Sequence, residues 1–315
     1  MKRKIIAGFA ITFFIIVVSI YLFIPSNIQV SQIQRLSVPS GAALRCLNST
    51  GKIKSWWPGK VLNERSSMFT DGNYSFTFSK FSITEIQKIV VYDTNNDSLQ
   101  FFASLNPTGR DSSFLQWSGT MKSSLFPFAR INQYMKAIKL KKSIEKILKT
   151  FASYTSNTVN IYGISIGRER VPDSLLISEK KDFSYYPRVQ EIYSGINSLR
   201  QYISEQQATQ TNYPICNITP KDSSVFSLIV AIPVNKKIKE KGIKKMKNLL
   251  YNGNILVTEI KGGDYKINQA MEAMNYYIKD YQLTPAVLPY QSLLTDREKV
   301  GDSSIWTTKV CFPIY

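Results

Sequence analysis

SSIWTTKVCFPI, Ser303 to Ile314, closes the chain, and SSVFSLIVAIPV, Ser223 to Val234, stands eighty residues earlier. Four positions match outright, and Val225/Ile305, Phe226/Trp306, Ser227/Thr307, Ile232/Phe312 and Val234/Ile314 exchange like for like. A second pair shares the offset: Leu176-Ile177-Ser178-Glu179 and Leu256-Val257-Thr258-Glu259. Between the paired strands each copy carries a helical pattern. Ile192, Ile196, Leu199 and Ile203 hold the helical spacing in the first, and Met271, Met274 and Ile278 in the second. The helices align at a shift of about 75, which the later DREKVG segment restores to eighty. Each copy thus reads strand, helix, strand, strand, over about 171–234 and 253–315. A single copy leaves a sheet edge or face open, and pairing two copies covers it.

Composition narrows the chemistry. The chain has 315 residues and a formal charge of +18. Such a charge speaks to partners and solubility, not to fold. Histidine is absent, which removes Ser-His-Asp and Cys-His nucleophile pairs, the HExxH zinc helix and imidazole acid/base work. Cys46, Cys216 and Cys311 form no CxxC, so no metal site is expected. They read as buried thiols, with a Cys216–Cys311 bridge left open for an oxidising compartment.

The start of the chain, MKRK, precedes twenty uncharged residues, Ile5 to Ile24. About twenty apolar residues span a bilayer as a helix. Bulky residues at the run's end disfavour a cleaved signal peptide. The expectation is a transmembrane signal anchor over 5–24. Lys2, Arg3 and Lys4 would hold 1–4 in the cytoplasm, with the folded part outside a cell membrane.

A short tether, 25–30, follows. Next come a strand, a turn at Pro39-Ser40-Gly41, and a helix with Ala43, Leu44 and Leu47 on its buried stripe, ending near Asn48 to Gly51. NYSFTFSKF, IQKIVVYD, SLQFFASL and SFLQWSGTM alternate as strands, with turn signals at Asn95-Asn96-Asp97 and Asn106 to Gly109. This is an antiparallel meander. A long helix over about Ile131–Tyr154 has Ile131, Met135, Ile138, Ile144, Ile147, Leu148 and Phe151 at helical period. The order, with Trp56-Trp57-Pro58-Gly59 after the first helix, resembles the SRPBCC superfamily, the START and polyketide-cyclase-like helix-grip fold, over 31–156. The resemblance implies a deep apolar cavity between sheet and helix. For at least one of Trp56 and Trp57 the favoured reading is plain core packing.

The second half, 157–315, resembles the GyrI-like effector-binding domain of multidrug-sensing regulators. Gly263-Asp264-Tyr265 stands where that family has Gly-Pro-Tyr, Pro289-Tyr290 and Asp296 fit its Pro-aromatic and Asp positions, and Val310–Ile314 fits its closing strand. The family builds a ligand cleft between its repeats, and a few relatives hydrolyse small electrophiles with an acidic residue. Two family acids are replaced here, by Lys309 and by Gln291. Alternation puts Val310, Phe312 and Ile314 on one face and Lys309 with Cys311 on the other, facing solvent or the cleft. A cleft-facing Lys309 favours carboxylate-bearing over cationic ligands. The basic run Asn235–Asn248 reads as a solvated inter-repeat linker, with lipid headgroups a lesser partner. It lacks the aromatics or module of a nucleic-acid patch, so no nucleic acid is expected.

Together these features predict an α+β chain: a transmembrane helix, a helix-grip antiparallel sheet domain, and a tandem-repeat GyrI-like domain. The expected function is membrane-anchored binding of an apolar or amphipathic small molecule, without a cofactor. Its candidate ligand-binding residues are Tyr265, Tyr290, Gln291, Trp306, Lys309, Phe226 and Trp57. No catalytic residue is assigned. The alternatives are a hydrolase working through Tyr265, Tyr290 or a carboxylate such as Glu259, and an interaction module that has lost its ligand. A transcription regulator would need a helix-turn-helix segment, and none is visible.

Overall fold

The computed structural model describes residues 2–63, 68–79, 86–94, 97–222 and 224–315, with only the backbone at 2–5, 7, 63 and 86. Asn95 and Asn96 of the expected turn, Lys80 and Phe81 at the end of the first expected meander strand, and Ser223 lie outside the described residues. The chain divides into two compact units, 1–157 and 158–315.

Unit 1 opens with helix α1, Lys2–Phe23. Among the described residues, no helix is long and apolar enough to cross a membrane. This overturns the transmembrane helix expected over 5–24. The end of that stretch is committed to polar contacts within unit 1. The Arg130 guanidinium donates to the Ile24 carbonyl at 2.9 Å through Nε and lies 4.8 Å over the Tyr21 ring. The Tyr21 hydroxyl donates to the Leu125 carbonyl.

Strand β1 begins at Asn27, inside the stretch read as a tether, and runs to Leu36. Helices α2 (Ser40–Asn48) and α3 (Thr50–Trp56) follow. The first does not end in a loop, because Ser49 caps the next helix and accepts the Lys52 amide at 3.5 Å. Strands β2 (Lys60–Asn63) to β7 (Ser113–Lys122) complete a seven-stranded antiparallel sheet in the order β1-β7-β6-β5-β4-β3-β2. Between them run β3 (Met68–Asp71), β4 (Tyr74–Phe78), β5 (Ile86–Tyr92) and β6 (Ser98–Pro107). Helix α4, Pro127–Thr155, buries Ala137, Leu140, Ile144, Ile147, Leu148 and Phe151. Polar bonds tie it to the sheet: Ser143 and Lys146 both reach Asp71, at 2.5 and 2.7 Å, and Lys136 reaches Asp93 at 2.8 Å. Ile131 and Met135, read as core positions, are exposed instead. Aromatic rings pack inside the unit: Trp56 on Phe151 at 4.7 Å, Trp57 on Phe69 and Phe76 at 5.3 Å each, and Phe78 on Trp117 at 5.7 Å.

Unit 2 holds an eight-stranded sheet, β12-β9-β11-β10-β14-β15-β13-β8. After a short helix α5 (Thr158–Tyr162) and strand β8 (Gly167–Arg170), the first repeat comprises β9 (Leu175–Phe183), α6 (Val189–Glu205), β10 (Ile215–Pro220) and β11 (Phe226–Pro233). After β12 (Lys244–Asn248), the second comprises β13 (Asn254–Lys261), α7 (Asp264–Asp280), β14 (Tyr290–Leu293) and β15 (Thr307–Ile314). The sheet order is the same read from either edge toward the β10–β14 junction. There Cys216 pairs with Gln291, its own equivalent, so the pseudo-twofold axis passes between them. The edge strands are exchanged. β8 precedes the first repeat but pairs with β13 of the second, and β12 precedes the second but pairs with β9 of the first.

The register corrects one of the two echoes. Ile177 lies opposite Ile232, and Leu256 lies opposite Phe312. Ile232 and Phe312 are equivalents eighty residues apart, so the equivalent of Ile177 is Leu256, one short of that offset. A one-residue slip turns every side chain to the other face. Glu179 therefore points to the α6 side, where Ser198 and Lys244 meet it, while Glu259 points to the opposite face. The same alternation separates the cysteines. Cys216 packs in the α6 core and Cys311 in a cluster on the other face, so no disulfide joins the two.

Candidate ligand cavity

The helices of unit 2 cover one face of its sheet. The other face contains a cavity of about 360 Å³. Period-two alternation chooses what enters it. On β13 these are Ile255, Val257 and Glu259, on β15 Lys309 and Cys311, and on β14 Tyr290 and Ser292. The exchanged strand β8 contributes Glu169, and the connection to β9 contributes Val171, Pro172 and Asp173. The floor is apolar, a buried cluster of Val171, Ile255, Val257 and Cys311 with Leu249 and Tyr290 packed on it.

The charge of the lining reverses the expectation drawn from Lys309. That residue does face the cavity, but it is the one cation among the lining residues, beside the carboxylates of Glu169, Asp173 and Glu259. Lys309 Nζ is held 2.8 Å from Glu169. Asp173 accepts from Thr211 Oγ1 and Asn212 Nδ2, both at 2.9 Å. Glu259 lies directly across the strand pair from Lys309, and no ion pair engages it among the described residues. The cavity is therefore a net anionic site over an apolar floor. Burial pushes the Cys311 thiol up to about 12 and the Tyr290 hydroxyl above its ordinary value as well. Neither group is an anion near neutral pH.

Of the candidate ligand-binding residues, Tyr290 and Lys309 line this cavity together, with Glu259, the carboxylate of the hydrolase alternative, beside them. Gln291 alternates to the helix face, where its Oε1 accepts from Arg297 Nη2 at 3.4 Å. Arg297 is buried, donates to Thr308 Oγ1 at 2.8 Å and stacks 4.9 Å over the Trp306 ring, so Trp306 serves that side too. Tyr265 is exposed on α7 and accepts from Gln269 at 3.0 Å. Phe226 meets Tyr186 edge-on at 5.6 Å. Trp57 sits in the core of unit 1 and donates its indole N–H to the Thr70 carbonyl at 2.8 Å. Sequence reasoning missed Glu169, Asp173 and Arg297. The first two reach the cavity only because β8 crosses to the far repeat, and no periodicity announces that exchange. Arg297 lies in an irregular segment without alternation to mark it as buried.

No family model matches the chain, and no curated protein matches it. Among solved structures, the EcmrR C-terminal domain matches at 16% identity over 48% of this chain and 98% of its own, with a TM-score of 0.38. SAV2435 bound to tetraphenylphosphonium matches at 15% over 48% and 94%, with a TM-score of 0.34. A hydrolase from Listeria innocua matches at 11% over 48% and 92%, with a TM-score of 0.36. The functional reading rests on the cavity itself.

Proposed function

We propose that unit 2 is an effector-binding-type module of GyrI-like kind, taking up a small amphipathic molecule with a cationic group. One observation carries this reading: an apolar-floored cavity of about 360 Å³ whose lining sets three carboxylates against one lysine. That volume is in the usual range for small-molecule sites. The apolar part of such a ligand would lie on the Val257 and Tyr290 side. Its charge would meet Glu259, which among the described residues has neither the ion pair of Glu169 nor the two hydrogen-bond donors of Asp173. An opposite charge at close range strengthens as the site dries. Binding rather than catalysis fits the protonated thiol and phenol and the lack of histidine. Unit 1, with a seven-stranded sheet and a long closing helix, reads as a helix-grip domain of SRPBCC type.

The test is titration calorimetry with a matched pair of dyes, one a lipophilic quaternary ammonium and one a carboxylate of similar size. The cationic dye is expected to bind more tightly, and Glu259→Gln to weaken it about tenfold, the usual scale for a charge-assisted contact. Tighter binding of the carboxylate dye, or an unchanged affinity in Glu259→Gln, would overturn the proposal.

A further inference from the structure

One edge of unit 1 combines three features that the cavity does not use. The first is displayed apolar surface. Leu125, Phe126 and Phe128 are 83, 77 and 78% exposed, and Ile131 and Met135 continue the stripe along α4. Leu22 and Phe23 at the end of α1 are equally open, and the Tyr21–Leu125 and Arg130–Ile24 bonds bring the two segments together.

The second feature is rigidity. Ser123 donates its amide to Ser26 and its hydroxyl to Pro25, both at 2.8 Å, and Ser124 Oγ accepts the Phe126 amide at 3.1 Å. The turn is pinned from within and still presents its large side chains outward. Monomeric proteins rarely show contiguous apolar surface of this kind without a partner for it.

The third feature is charge. Residues 1–63 and 112–144 contain no Asp or Glu. They supply α1, β1, β7 and the first half of α4, and β1 pairs with β7 along its whole length. The patch is therefore flanked by cations such as the exposed Lys122 and Lys139, and the carboxylate of α4, Glu145, stands beyond these stretches and pairs with Lys149. We propose that this edge of unit 1 docks on the surface of an anionic lipid bilayer, seating Phe126 and Phe128 among the headgroups without crossing the membrane. Apolar insertion plus basic flanks is the chemistry of interfacial binding. A layer of anionic headgroups answers flanking charge of one sign, and its acyl boundary takes up the displayed Phe126 and Phe128.

The experiment uses the full chain and vesicles of phosphatidylcholine, with and without phosphatidylglycerol. The chain is expected to sediment with the anionic vesicles and to bind them less at high salt. Phe126→Ser/Phe128→Ser should weaken that binding about tenfold or more, since two large apolar side chains lose their burial. Lys122→Glu/Lys139→Glu should weaken binding to the anionic vesicles alone. Depth is read with Phe126→Trp, whose new indole should be quenched by brominated lipids, while the native Trp56, Trp57, Trp117 and Trp306 are buried. Three results overturn the proposal: vesicle binding unchanged in the double Phe variant, an unquenched indole in bound Phe126→Trp, or lipid-free self-association that the double Phe variant abolishes. The last would assign the surface to a second copy of this chain.

Discussion

Replacing Gly59 by alanine places a Cβ 1.6 Å from the carbonyl oxygen of Thr70 and 2.7 Å from its carbon. Both are backbone atoms, so no side-chain rotation relieves the clash. The same oxygen accepts the Trp57 indole N–H at 2.8 Å. Gly59→Ala must therefore separate β2 from β3, which pair through Lys60 and Thr70, and pull that acceptor from a buried indole. Leaving a buried donor and acceptor unpaired costs about 1–3 kcal/mol. Loosening the Trp57 ring from Phe69 and Phe76 adds about another 1 kcal/mol of lost ring packing. The expected loss is about 3 kcal/mol, and near 2–4 °C per kcal/mol the melting point of unit 1 should fall by about 6–12 °C. Urea unfolding followed by tryptophan emission measures it, because Trp56, Trp57 and Trp117 all report on unit 1. Trp57→Phe is the companion variant: it removes the indole donor without crowding Thr70, and should lose less. A Gly59→Ala midpoint equal to that of the wild type would refute the steric reasoning.

Lys309→Glu should raise affinity for a cationic dye several-fold, by adding a carboxylate beside Glu259 and freeing Glu169; calorimetry showing no change would place Lys309 outside the binding interactions. Fragments 157–241 and 242–315 should each fail to unfold cooperatively alone, because each depends on the other for a strand, yet should regain cooperative unfolding when mixed. Alkaline pH should destabilise unit 2. Burial raises Cys216 to about 11 and Cys311 and Tyr186 to about 12, so the native state keeps protons that the unfolded chain releases. That stability is fully present below about pH 9, the ordinary thiol value, and is lost as pH climbs through the raised values. Denaturant midpoints measured from pH 8 to 11 should fall, and fall less in Cys311→Ala.

The meander was legible because its strands alternate cleanly: SLQFFASL and SFLQWSGTM fall within β6 and β7. The β2–β3 hairpin was not, being four residues a side with a register shift between Val61 and Asn63. Helix α4 was found by period, but its first turns were misjudged. Period locates an apolar stripe, and only packing decides whether a partner covers it, as the exposed Ile131 and Met135 show. The duplication was visible at the closing strands and helices. In β9 and β13 the identical letters deceived, since Glu179 and Glu259 match in sequence and face opposite sides of the sheet. Of the cavity, alternation foretold the company of Lys309 and Cys311. It could not foretell Glu169, which enters through strand exchange and turns a supposed anion receptor into an acidic site.

The axis through Cys216 and Gln291 has a consequence for shape. Two separate but identical chains around such an axis must wear the same residues on both halves, so any off-axis hollow would occur twice. Joining the halves into one polypeptide removes that obligation. Here Tyr290 stands where its twin position holds Ile215, Lys309 where the twin holds Ile229, and Glu259 where the twin holds Lys180. The second half could set Glu259, Tyr290 and Lys309 into the cavity without its twin following, so a symmetric frame carries a handed opening.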